Sequence, residues 1–328
     1  MKKVSIDSIF SIQNENEFEQ LALDVFRFQA RNCKIYADFL KNLNIDPAQV
    51  FSVQEIPFLP VEFFKNHSIV SKQVQEQIIF SSSGTTGLAQ SKHFVTDLSI
   101  YERSFKDAFE LAYGKIQDFA ILALLPSYLE REGSSLIYMI DAFIRESRYK
   151  QSGYFLHNYT ELHETLSDLQ RRKIPTLLIG VTYALFDFVE NHTLAFPELI
   201  VMETGGMKGK RKEIVREELH QILCAGFGVK NIHSEYGMTE LLSQAYSKGR
   251  GLFGCPPWMR VYIRDPNDPL NMLAKGQTGG INVVDLANIY SCSFIATQDL
   301  GKVYADSHFE VLGRFDNSDI RGCNLLVQ

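Results

Sequence analysis

The sequence predicts an α/β protein built on parallel or mixed sheets, and three observations carry that expectation. Short apolar runs at residues 119–125, 176–179, 199–202 and 280–284 alternate with segments of helical period such as 97–111 and 159–172. That alternation is the rhythm of strand–helix–strand units. Of 328 residues, 45% are hydrophobic and 22% charged, a balance that suits a buried core and excludes a disordered or fibrous chain. The longest apolar stretches also fall short of the ~18 residues a membrane helix needs, so no integral membrane segment is expected.

The elements follow in order. The opening residues contain Lys2 and Lys3 but no apolar stretch ending in a small-residue cleavage site, so no secretory leader is read and a cytoplasmic protein is expected. Over 15–43, Phe18, Leu21, Ala22, Val25, Phe26, Ala30, Tyr36, Phe39 and Leu40 recur mostly at spacings of three and four. This predicts a helical N-terminal segment, extending to about residue 75. Pro57 and Pro60 mark an extended link towards a short strand at 77–80. After Gly251 the apolar runs are broken by Pro256, Pro257, Pro266, Pro269 and the glycines of 276–280, as in a smaller β-rich region.

Composition narrows the function. The five cysteines, Cys33, Cys224, Cys255, Cys292 and Cys323, are odd in number and widely spaced, which argues for free thiols over a disulfide framework or a zinc site. A formal charge of -6 gives no general attraction to nucleic acid, and none is expected as a partner.

Two stretches carry chemistry. Ser81-Ser82-Ser83-Gly84-Thr85-Thr86-Gly87 follows a predicted strand, and its glycines and hydroxyls suit close approach to phosphate oxygens. It is not a Walker loop, because Leu88 and Ala89 stand where Lys-Ser or Lys-Thr would be. A solvated turn accounts for the same composition. Ser234-Glu235-Tyr236-Gly237-Met238-Thr239-Glu240 offers a tyrosine that can stack on a purine and a carboxylate that can hold magnesium beside phosphate. Taken alone, it reads equally as a strand end and helix cap.

Together, and in this order, the motifs resemble those of the adenylate-forming superfamily of acyl-activating enzymes. Gly205-Gly206-Met207 looks like that family's adenine-contacting turn, Thr297-Gln298-Asp299-Leu300-Gly301 like its ribose-binding element, and Gly313-Arg314-Phe315-Asp316 with Arg321-Gly322 like its hinge. Within the superfamily the sequence is most similar to LuxE-type acyl-protein synthetases, with phenylacetate-CoA ligases second. The features shared with LuxE are the serine-rich loop with Ser91-Lys92-His93 downstream, the segment 203–209, and the terminus around Cys323.

The resemblance implies a large adenylate-forming domain over 1–312, lacking the C-terminal lid, and a hinge-like segment with a tail over 313–328. It implies ATP and Mg2+ as cofactors and a carboxylic acid, most naturally a fatty acid, as substrate. Ser82, Ser83, Gly84, Thr85, Thr86 and Gly87 would hold phosphate, and Gly205, Gly206, Met207, Tyr236, Gly237 and Thr239 would border the nucleotide. Asp299 would bind ribose, Arg314 ribose or phosphate, and Glu240 the metal. Thr85, His93, Glu240 and Cys323 form the expected catalytic set, with Cys323 accepting the acyl group as a thioester for delivery to an acyl reductase or acyl-carrier protein. The chemistry is coherent in its own right, since a carboxylate needs conversion to a mixed anhydride before a thiol can take its acyl group.

Two alternatives stay open: an acyl- or aryl-CoA ligase working with a separate lid polypeptide, and a noncatalytic subunit that binds nucleotide or acyl chains. Other features are weaker. Gly226-Phe227-Gly228 is better explained as a helix C-cap than as a dinucleotide fingerprint, and the basic run 208–212 reads as a solvated face. His93 and His233 are the two histidines beside the motifs, and such a residue is more often a packing or hydrogen-bonding group than a catalyst. No Gly-x-Ser-x-Gly elbow occurs, which disfavours a serine acyl hydrolase.

Overall fold

In the computed structural model, which describes residues 4–71, 75–82, 90–126, 133–205 and 215–315, the chain divides into two units. The first joins Met1–Gln73 to Pro257–Gln328, and the second is Val74–Pro256.

The first unit opens with helices α1 (Ile6–Phe10), α2 (Glu15–Asn32) and α3 (Lys34–Asn42). α2 starts where the Asn14 side chain accepts from the Glu17 backbone N–H at 3.0 Å, while the Glu17 carboxylate accepts from the Gln13 N–H. Its Phe18, Ala22, Val25, Phe26 and Ala30 are buried, as the spacing predicts. The proline-containing link is only partly extended. Leu59–Pro60 forms a two-residue strand, β1, and the backbone then turns into the short helix α4 (Phe63–Asn66). Pro60 ends the strand and donates nothing, so Val61 supplies the next hydrogen bond, to the Ala296 carbonyl at 3.0 Å.

The second unit begins with an antiparallel hairpin, β2 (Ile78–Ser81) and β3 (Lys92–Val95), followed by α5 (Leu98–Tyr113). The alternation then runs β4 (Ala120–Leu124), α6 (Ser135–Glu146), β5 (Gly153–Phe155), α7 (Tyr159–Arg171), β6 (Thr176–Val181), α8 (Thr182–Asn191), β7 (Ile200–Thr204), α9 (Arg216–Phe227), β8 (His233–Tyr236), β9 (Ala245–Ser247) and β10 (Leu252–Gly254). These strands lie in the order β10-β9-β8-β7-β6-β4-β5. Pairing is parallel from β5 to β8 and antiparallel from β8 to β10. Every residue of β4 and β6 is buried, which is why both read as unbroken apolar runs. α9 ends at Gly228 in the left-handed region, φ 68°, where a Cβ would stand 2.7 Å from the Ala195 Cα. Gly228 is the helix cap, as expected, while Gly226 lies within the helix against Val189.

The chain returns to the first unit with the antiparallel strands β11 (Met259–Arg264), β12 (Thr278–Asp285), β13 (Phe294–Val303) and β14 (Phe309–Arg314). β1 lies parallel to β13, and Phe26, Tyr36 and Phe58 gather around Phe294 with ring centroids 5.9–6.3 Å away. Gln29, buried within the apolar stripe of α2, donates to the carbonyls of Asn288 and Ile289 and accepts from the Ser293 N–H. Among the described residues, no helix is long and apolar enough to cross a membrane, and Cys33, Cys224 and Cys292 are free thiols.

Candidate active site

The serine-rich loop springs from the β2–β3 hairpin. Its base is held by a reciprocal pair: the Ser82 N–H donates to the Ser91 carbonyl, and the Ser91 N–H donates to the Ser82 Oγ, each at 3.0 Å. Ser81 N–H donates to the Gly133 carbonyl at 2.8 Å. Ser83, Gly84, Thr85, Thr86 and Gly87 lie outside the described residues.

His93, on β3 opposite Phe80, is 1% exposed, and its Nδ1 meets the Thr239 carbonyl at 2.9 Å. A carbonyl only accepts, so Nδ1 carries the proton. Burial lowers the imidazole to about 4, so the ring is neutral at physiological pH. In this geometry His93 ties β3 to the backbone beside Glu240, by way of Thr239. His233 is likewise lowered to about 4, by burial and then by Lys248, and shares a 3.1 Å hydrogen bond with the Tyr113 hydroxyl.

Tyr236 ends β8 largely buried, with its ring edge-on to Phe253 at 5.9 Å, and Glu240 follows at 5% exposure. Between them, Gly237 leaves room for a neighbour: a Cβ there would stand 2.3 Å from Glu235 Oε1. Glu235 accepts from the Thr204 hydroxyl at 2.7 Å, and burial pushes its carboxyl up to about 7. Thr204 is the last residue of β7 and Gly205 turns the chain there at φ 76°. The parallel pairing of β7 with β8 therefore sets the start of the Gly205 turn beside the tyrosine motif.

One residue earlier, Glu203 is the centre of a buried network. It accepts from His220 at 2.8 Å, Ser234 at 3.1 Å and Thr182 at 3.2 Å. Burial alone would raise its carboxyl, but His220, Arg216 and Ser234 together bring it below the usual carboxylate value. This ties the end of β7 to the first turns of α9. Gly206 and Met207 lie outside the described residues.

In the other unit, Asp299 and Arg314 are cross-strand partners on β13 and β14, with Nε 3.5 Å from Oδ1. The Asp299 side chain is 15% exposed and that of Arg314 71%. The Asp299 N–H donates to Thr297 Oγ1, and the Phe315 N–H donates to the Gln298 carbonyl, so the backbone around the pair is fixed. Cys323 lies outside the described residues.

The structure thus brings Ser82, His93, Thr239 and Glu240 into one unit with Gly205, Tyr236 and Gly237, and sets Asp299 against Arg314 in the other. Sequence reasoning assigned no role to Glu235, Gln244, Tyr246 or His220. The only signal for them was the two-residue period that puts Glu235 on the face opposite Tyr236. Among the described residues, no group of three or more His, Cys, Asp and Glu side chains could hold a metal. A single buried carboxylate such as Glu240 fits magnesium, which binds through one or two carboxylates together with substrate phosphates and water.

The family model of acyl-protein synthetases, LuxE, matches residues 8–328. The chain belongs to the LuxE acyl-protein synthetase family. No curated protein matches it. Among solved structures, the family fold is similar to a 2-hydroxyisobutyryl-CoA ligase captured with its acyl-AMP and CoA, at TM-score 0.67 and 12% identity over 96% of this chain and 75% of that one. ATP-bound MatB from Rhodopseudomonas palustris matches at 0.53 and 18%, over 72% of this chain and 47% of that one. A long-chain-fatty-acid-CoA ligase, FadD1 from Archaeoglobus fulgidus, matches at 0.52 and 16%, over 72% and 51%. This member of the LuxE family has the α/β fold of adenylate-forming ligases, and spans about half the length of the last two.

Proposed function

We propose that the protein activates a carboxylic acid, a long-chain fatty acid in the first instance, with ATP and magnesium, and then carries the acyl group on Cys323. The carboxylate attacks the α-phosphorus, the bond to the bridging oxygen breaks, and pyrophosphate leaves as acyl-AMP forms. The Cys323 thiolate then attacks the acyl carbonyl, AMP departs, and the thioester is handed to an acyl reductase or acyl-carrier protein. In this reading Ser82, Ser83, Gly84, Thr85, Thr86 and Gly87 hold phosphate, while Gly205, Gly206, Met207, Tyr236 and Gly237 border adenine. Asp299 and Arg314 serve the ribose, Glu240 holds magnesium, and its charge offsets that of the metal and not the phosphates.

The observation that carries the reading is the His93–Thr239 hydrogen bond. It ties the hairpin bearing the phosphate-type loop to the backbone next to Glu240, so two motifs far apart in sequence form one buried construction. Magnesium, when bound, would neutralise phosphate charge; the chain's part is to hold its carboxylate still.

Exchange of labelled pyrophosphate into ATP, dependent on acid and magnesium, is the expected result. Glu240→Gln should lower it on the order of a hundredfold at limiting magnesium, the scale of losing one preorganised electrostatic contact. Cys323→Ser should retain exchange but lose the hydroxylamine-labile acyl adduct seen by intact mass, because a hydroxyl is a far weaker acceptor than a thiolate. An undiminished adduct on that variant would reassign the acceptor. Acyl transfer that needs CoA would instead favour a CoA ligase, and nucleotide binding without exchange a noncatalytic subunit.

A further inference from the structure

Two polar side chains of the second unit, Glu235 and Gln244, approach Gly237, and two more are neighbours of Glu235. Glu235 stands opposite Tyr246 in the register of β8 and β9, and Thr204 donates to it from β7. Gln244, two residues before Tyr246, packs its Cγ 3.6 Å from where a Gly237 Cβ would be, the position that Glu235 Oε1 approaches from 2.3 Å. The Gln244 Oε1 and the Tyr246 hydroxyl are buried, and neither has a hydrogen-bond partner among the described residues. The two residues are 4% and 6% exposed.

The surroundings are aromatic. Tyr113 and Phe109, both on α5, meet the Tyr246 ring edge-on at 5.5 and 6.1 Å. Glu235 also lies near enough to Tyr101 to disfavour ionisation of that phenol. Unpartnered polar atoms enclosed this way cost stability, and a fold retains them where something else uses them. Gln244 Oε1 accepts hydrogen bonds, Glu235 does so when ionised, and the Tyr246 hydroxyl can accept or donate, so a donor group, above all a hydroxyl that also accepts, can match all three.

We propose that Glu235, Gln244 and Tyr246 form a subsite for a hydrogen-bond donor, a hydroxyl or amino group, carried on the acyl part of the acid to be activated. The proposal rests on the adenylation reading above and narrows its substrate. Glu235 and Tyr236 are consecutive on β8, so their side chains take opposite faces. With the base of the nucleotide assigned to Tyr236, the face of Glu235 is left for the other end of an acyl-adenylate. Gly237, against which Glu235 and Gln244 pack, leads directly into Thr239 and Glu240.

The test is pyrophosphate exchange by the full chain with matched acids, each hydroxy or amino acid against the alkyl acid lacking the donor, with the donor moved stepwise along the acyl chain. At one position the donor-bearing acid should be favoured by about tenfold or more in kcat/KM, since a site built for a hydrogen bond discriminates strongly against its absence. Tyr246→Phe should narrow that ratio to about twofold. Its melting temperature without substrate should be no lower than the parent's, because the hydroxyl removed has no partner among the described residues; this separates lost recognition from lost folding. Equal rates for the matched acids at every position, or an unchanged ratio in Tyr246→Phe, would overturn the subsite and leave adenylation standing. No exchange with any acid would overturn both.

Discussion

Glu235 and Asp299 are both carboxylates beside a nucleotide-type motif, and their environments are opposite. Asp299 lies on an antiparallel strand pair with the Arg314 cation 3.5 Å away and part of its side chain in solvent. Glu235 lies within a sheet covered by aromatic rings, with the neutral Thr204 hydroxyl as its hydrogen-bond donor, and burial pushes it up to about 7. The difference shows how neighbours divide the labour of one functional group. A partly exposed carboxylate beside a cation can offer its oxygens to a ligand, whereas an enclosed one beside a neutral hydroxyl is poised between donor and acceptor.

The largest effect expected is on stability against pH. The carboxyl of Glu235 is higher in the fold than its ordinary value of about 4.3, so its contribution is full below that pH and is lost as pH rises through 7. The loss should reach up to about 3 kcal/mol, and Glu235→Gln should remove it, so that parent and variant melting curves diverge between pH 5 and about 8. His93 has the opposite sign. Its imidazole is lowered to about 4, so its contribution is present above about 6.5 and lost as pH falls through 4, again by up to about 3 kcal/mol. His93→Gln, which can still donate to the Thr239 carbonyl, should flatten that acid limb. If both limbs persist in the variants, the contrast between enclosed and compensated groups fails.

Next in size, Asp299→Ala removes a charged acceptor worth about 1.5 to 3 kcal/mol, so the apparent ATP constant should rise by about tenfold or more. Equal binding of ATP and 2′,3′-dideoxy-ATP by the parent would contradict the ribose assignment. The smallest effect is expected at Arg314. Its side chain is 71% exposed, so its pairing with Asp299 should contribute no more than about 1 kcal/mol in a double-mutant cycle on stability.

The N-terminal stripe shows both the reach and the limit of sequence patterning. Phe18, Ala22, Val25 and Phe26 declared the buried face of α2 through their spacing, yet Gln29 lies on that face with nothing local to explain it. Its amide is satisfied by Asn288, Ile289 and Ser293, some 260 residues away. Likewise, the Pro57–Pro60 link read as extended because proline fixes only its own φ and restrains its predecessor; that the stretch would form β1 and then α4 depended on the edge offered by β13.

By itself the sequence determined the helical period of α2, α3, α5 and α7, the apolar runs of β4, β6, β7 and β12, the Gly228 cap, and the ordered motifs that place the chain among acyl-activating enzymes. These are local properties, fixed by backbone geometry and by residues within a turn or two. Tertiary structure alone decided that His93 would be a neutral tie to Thr239, that Asp299 would face Arg314, and that Glu235 would accept from Thr204, stand opposite Tyr246 and share the space beside Gly237 with Gln244. Each depends on strand order and register, which bring distant residues together, and on desolvation, which exists only once the surrounding chain has enclosed the group.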